Sequence, residues 1–188
     1  MAFLRRDKQL SGDAAYDPKW GVLFTATLFG LLIAVAANHF GPTARALINL
    51  PAIILLATAA IVDLQWKVIP DWLTLPGVVW ALLASAYLGW PRLSEALVGL
   101  ALCGGALLLM ALISRGGIGG GDVKLVAMIG AMLGWHWGFG VLVFAQLCAA
   151  GLALFLFVSG RKGRKDALPF GPFLSAFGVL ALLGNPIQ

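Results

Sequence analysis

From Trp20 onward the chain alternates long apolar runs with short breaks that are polar or contain Pro and Gly. The runs cover residues 20–37, 46–62, 72–88, 96–113, 123–135, 139–158 and 168–183. Each run reads as a candidate membrane-spanning helix, and together they form one membrane domain. Several runs are shorter than the roughly 20 residues of an ordinary span, which tilting, a thinned bilayer or a half-inserted helix accommodates. The expected fold is therefore an all-α, polytopic transmembrane helix bundle of about six to seven spans. Trp20, Trp72, Trp90, Trp135 and Trp137 fall at predicted ends, where interfacial aromatic belts lie.

Composition sharpens this picture. Of 188 residues, 61% are hydrophobic and 11% charged, and the mean hydropathy is +0.94, outside the range of a soluble domain. Residues 1–19 are polar and mixed in charge, and are read as a cytoplasmic tail or surface segment preceding one membrane domain, 20–188. Ala34-Val35-Ala36 resembles a signal-peptide cleavage site, but the region before it is long and carries Asp7, Asp13 and Asp17, so the first run is expected to stay as a span. Cys103 and Cys148 fall in apolar runs with no CxxC or Cys/His spacing; no zinc site is predicted, and both are expected to be small core residues.

The net charge of +5 reports topology, and no nucleic-acid partner is predicted from it. With a cytoplasmic N-terminus, the inner side receives Arg5, Arg6, Lys8, Lys19, Lys67, Arg115, Lys124, Arg161, Lys162, Arg164 and Lys165, and the outer side only Arg45 and Arg92. That bias places the segments around Asp63 and Asp122 on the same cytoplasmic face, where they can meet.

Charges at or within spans are costly unless paired, hydrated or functional, so the eight acidic residues are where chemistry is sought. Glu95 suits the start of an outer helix, and Asp71, directly after Pro70, suits the first turn of the next one. Asp63 ends an apolar run, where the helix dipole opposes a carboxylate. Asp122 follows Gly119, Gly120 and Gly121 and precedes another apolar run. It can cap a helix starting at Val123, while the glycines leave room for an extended peptide backbone to approach. Two aspartates on one face are the minimal equipment of an aspartic protease: one draws a proton from water while the other polarises the scissile carbonyl. Lys67 and Lys124 can stabilise the anionic form, dock substrate acids or anchor at the interface. Gly104-Gly105 and the Gly130/Gly134 pair are read as helix-packing residues. HExxH and GxSxG are absent, His39 and His136 are expected at the outer face, and GGIGGGD lacks the Gly-Lys-Ser/Thr ending of a phosphate loop.

Three stretches carry a family resemblance. Residues 119–135, GGGDVKLVAMIGAMLGW, look like the second catalytic motif of the type IV prepilin peptidases; residues 63–77, DLQWKVIPDWLTLPG, are similar to the first; and residues 168–178, LPFGPFLSAFG, resemble the Pro-Phe-Gly-Pro-Phe segment of these enzymes. The resemblance implies a GxGD-type aspartic endopeptidase of the bacterial inner membrane, multi-pass, with its active site facing the cytoplasm. Such an enzyme removes the short basic leader of prepilins or pseudopilins. It implies catalytic roles for Asp63 and Asp122, and the substrate backbone is expected along Gly119, Gly120 and Gly121, near Lys67, Lys124 and Pro169, Phe170, Gly171 and Pro172. Larger members carry a cytoplasmic insert with paired CxxC motifs and methylate the trimmed pilin; residues 1–19 hold no cysteine, and the size resembles the small peptidases of tight-adherence (Flp) pilus systems. Neither methyl transfer nor any cofactor or metal is therefore expected. The alternatives are a transporter or proton relay, disfavoured because no internal repeat is evident, and a GxGD protease acting on other membrane peptides.

Overall fold

The computed structural model describes residues 44–89, 91–114, 118–159 and 170–184, with side-chain surroundings from Asn49 onward. The predicted tail 1–19, the run 20–37 with His39, and Arg115, residues 161–165 and Pro169 lie outside the described residues. The described residues form five helices: α1 Ala44–Trp66, α2 Asp71–Leu88, α3 Leu93–Ile113, α4 Gly120–Val158 and α5 Gly171–Gly184. Among the described residues the fold is all-helical, as the apolar runs predict. Three helices, α1, α3 and α4, are long and apolar enough to cross a membrane, and α5 is a shorter apolar helix.

α4 is two helical arms joined at Gly134, whose φ of 75° and ψ of 174° suit a residue without Cβ. Gly138 packs on Gly130, and a Cβ on Gly138 would lie 2.8 Å from Gly130 Cα. In a straight helix those residues would stand about 12 Å apart, so the chain folds back on itself at Gly134. The predicted break between the runs 123–135 and 139–158 is this corner. Gly130 meets the backbone of Gly99 in α3, and Cys103 of α3 fills the space beside Gly130 and Gly138. Gly134 is thus both the turn and, with Gly130, a packing residue: a Cβ on Gly99 would meet the Gly130 carbonyl and lie 2.8 Å from the Gly134 carbonyl carbon, and the reversal adds Gly138 beside Gly130.

Around these close approaches α3 packs against both arms of α4, α1 and α5 pack together, and α2 lies against α4. The core between them holds Ile53 and Leu56 of α1, Leu107 of α3, Leu125, Met128 and Ile129 of α4, and Leu174 and Leu182 of α5. Large apolar side chains such as Leu109, Phe155 and Val158 point outward, as lipid-facing positions do. Cys103 is buried, but Cys148 is exposed. The core position expected for Cys148 is corrected, because the second arm of α4 turns much of its apolar surface outward.

Replacing Gly130 with alanine would drive a methyl into the Gly99 backbone, whereas a Cβ on Gly140 would meet nothing within 4 Å. Thermal unfolding in detergent should show Gly130→Ala destabilised by about 1–3 kcal/mol and Gly140→Ala shifted by no more than about 0.5 kcal/mol.

Candidate active site

The motif residues collect at one end of the bundle, opposite the Gly134 corner, where Pro91 and Glu95 lie. Helix α1 carries Asp63 in its last turn, with its side chain only 5% exposed. The helix ends as Lys67 N–H donates to the Asp63 carbonyl at 2.9 Å, and Lys67 takes φ 53°, a left-handed exit from the helix. The chain then passes through Val68, Ile69 and Pro70 into α2. Ile69 is buried and anchors this linker to the core, while Trp66, Val68 and Trp72 are exposed around it. Pro70 precedes the helix without a side-chain cap, and Asp71 opens the first turn.

Helix α4 begins with Gly119 in extended conformation, and the N–H groups of Asp122 and Val123 donate to the Gly119 carbonyl at 3.1 and 3.4 Å. The helix therefore starts at Gly120, and Asp122 lies inside its first turn. This corrects the expected cap at a helix starting from Val123. Glycine's low helix propensity hides a start that tertiary contact imposes. That contact is visible: a Cβ on Gly121 would stand 2.9 Å from Ile69 Cβ and 3.0 Å from its carbonyl oxygen. Gly121 is thus the seat of α4 on the α1–α2 linker, while Gly120 has open space beside it.

The third piece comes from α5. Phe170 is half-buried against the core and its carbonyl accepts from Phe173 and Leu174 N–H at 3.1 and 3.3 Å, which sets the first turn around Pro172. Pro172 fits there because the first helical N–H groups have no helical acceptor. Gly171 N–H donates to Asp63 Oδ2 at 2.9 Å. A Cβ on Gly171 would lie 2.8 Å from that same oxygen, so only glycine lets the backbone come this near. The Asp63 carboxyl is held at the N-terminal end of α5, a favourable place for negative charge.

Asp122 lies within Coulombic reach of Asp63. Among the described residues its buried Oδ1 has no hydrogen-bond partner, and Oδ2 faces Gly119. A buried carboxyl oxygen left without a donor is costly. Lys124, two positions on, is bonded to Asp71 with Nζ 2.5 Å from Oδ1. Lys67 is exposed, and its charge acts on Asp63. The structure thus brings together Asp63, Asp122, Gly119, Gly121 and Gly171, ties Lys124 to Asp71, and places Lys67 at the rim. Sequence reasoning misses the partnership of Asp71; its one signal is an opposite charge close to each motif. Among the described residues no group of three or more His, Cys, Asp or Glu is placed to hold a metal.

Comparison with known sequences fits this geometry. The profile of the type IV leader peptidase family matches residues 50–156, a stretch that includes both aspartates. This chain belongs to the type IV leader peptidase family. It is similar to the prepilin leader peptidase/N-methyltransferase of Legionella pneumophila, with 34% identity over 85% of this chain and 57% of the relative. Similar proteins of the same description occur in Burkholderia pseudomallei strain 1026b, 38% identical over 84% of this chain and 53% of the relative, and in Bacillus subtilis strain 168, 33% identical over 86% and 63%. The chain spans a little over half the length of these relatives. No solved structure matches.

The two close glycine approaches yield a direct stability test for this family member. Gly121→Ala and Gly171→Ala should each cost about 1–3 kcal/mol in thermal unfolding, because a methyl meets Ile69 in one case and Asp63 in the other. Gly120→Ala, with open space beside it, should stay within about 0.5 kcal/mol.

Proposed function

We propose that this protein is a prepilin leader peptidase, a GxGD-type aspartic endopeptidase with six to seven spans in the bacterial inner membrane. It cleaves the short basic leader of type IV, Flp-like prepilins at the cytoplasmic face. The observation that carries the proposal is the convergence of Asp63 and Asp122, from separate helices, at the end of the bundle where Gly171 N–H engages Asp63. Family membership supports the reaction class. The orientation draws on the lysines: Lys67 and Lys124 lie at the aspartate end, and Arg92 precedes α3 at the other.

In the proposed reaction the two carboxyl groups share one proton, since like charges at short range resist double ionisation. The ionised carboxylate takes a proton from water as the oxygen attacks the scissile carbonyl, and the protonated carboxyl hydrogen-bonds the developing oxyanion. Collapse of the tetrahedral intermediate breaks the C–N bond, and the leaving amine receives a proton from the pair. Gly171 N–H holds Asp63 in its rotamer throughout. The leader lies extended over Gly119 and Gly120, which are exposed, while Gly121 serves from beneath through Ile69. Lys67, exposed at the rim, contacts the substrate, and Phe170, Gly171 and Pro172 border the path. The proposal is limited to peptide cleavage; the cysteines, Cys103 and Cys148, lie singly in helices, and no methyl transfer is assigned.

Co-expression with a prepilin tests this through pilin size on a gel. Wild type should trim the pilin, and Asp63→Asn and Asp122→Asn should each lower cleavage by a factor of at least about a thousand while the protein stays folded and in the membrane. Full trimming by either variant contradicts the dyad.

A further inference from the structure

We propose that the Asp71–Lys124 ion pair is a positioning device that sets the aim of Asp122 toward Asp63, and that Lys124 serves this role in place of contacting substrate. The inference rests on the leader-peptidase reading for its kinetic consequences, and on geometry for the pair itself. Gly121 and Lys124 are three positions apart and so share one face of α4, while Asp122 lies about 100° around the helix from Gly121. That shared face is turned to the α1–α2 linker and the start of α2: Gly121 abuts Ile69 and Lys124 Nζ meets Asp71 Oδ1.

The two contacts do different work. A glycine against Ile69 brings α4 close but offers no side chain to resist rotation of the helix about its axis or slip along the linker. The ion pair supplies that resistance, one position beyond the Ile69–Pro70 step and two positions beyond Asp122. The closed circuit runs from Asp63 through the Lys67 turn and Ile69 to Asp71, across to Lys124, and back to Asp122. Both ends of this circuit are the proposed catalytic carboxyls, so the pair governs their relative placement. Asp71 is itself well sited, in the first turn of α2, where a carboxylate suits the helix dipole. Both side chains are about half exposed, so salt weakens the pair.

The test uses full-length protein in detergent with purified prepilin, comparing wild type, Asp71→Asn, Lys124→Gln and the reversed pair Asp71→Lys/Lys124→Asp. Each single variant should lower kcat by about three- to ten-fold, as misaligned reacting groups do, with KM changed less than about two-fold. The reversed pair should recover most of the kcat, and raising ionic strength should lower kcat in wild type but not in Asp71→Asn. A raised KM with unchanged kcat in Lys124→Gln, or a reversed pair no better than the worse single variant, overturns the assignment. Melting temperatures of the four proteins keep this separate from the peptidase reading: wild type that leaves prepilin intact counts against that reading, while strictly additive melting shifts overturn the ion pair whether or not prepilin is cut.

Discussion

The arrangement depends on a backbone amide reaching a carboxylate: Gly171 N–H stands 2.9 Å from Asp63 Oδ2, with no room between them for a single methyl. This contact joins the end of α1 to the start of α5 and fixes a buried acid that would otherwise lack a donor. A second approach of the same kind, Gly121 on Ile69, joins the start of α4 to the linker that leaves α1. Helices surrounded by lipid gain little from hiding apolar surface in one another, so close backbone approach and hydrogen bonds carry the association. The opposite end of the bundle follows the same logic, with Gly99, Gly130 and Gly138 letting α3 and the two arms of α4 cross almost backbone to backbone.

These constraints explain why the site lies where α1 ends and α4 and α5 begin. Helix ends expose unpaired backbone groups, and a carboxyl there can be held by an N–H without interrupting a helix. Asp63 uses the N–H at the start of α5 in this way. Asp122 keeps a buried Oδ1 with no partner among the described residues, so the two acids are chemically unlike although their side chains are the same. One carboxyl is anchored by the backbone N–H of another helix, and the other has no such anchor among the described residues.

Much of this is legible in the sequence, for reasons that separate cleanly. Apolar runs mark helices because lipid requires every backbone group to be bonded within its own segment, and six of the predicted runs, 46–62, 72–88, 96–113, 123–135, 139–158 and 168–183, coincide with helical segments to within a few residues. The break before residue 139 shows as a dip in hydropathy, but that it is a reversal at Gly134 appears only from φ and the Gly130–Gly138 contact. Asp63 and Asp122 stand out because acids are rare in apolar runs. The helix start at Gly120 is hidden by glycine's weak propensity. The Asp71–Lys124 pair is hidden because 53 residues separate its members; periodicity carries no information across such a gap. The exposure of Cys148 is equally invisible, since in a membrane helix inward and outward faces are both apolar.

The claim on which the account turns is that residues 63 and 122 stand face to face at one end of the bundle. It is tested most directly by Asp63→Cys with Asp122→Cys in a background carrying Cys103→Ala and Cys148→Ala, treated in membranes with a short bifunctional thiol reagent and read after proteolysis between the two positions. The account predicts that the two fragments remain joined in the paired variant and separate when either cysteine is missing. Fragments that separate in the paired variant, while a control pair at positions 71 and 124 stays joined under the same treatment, would contradict it.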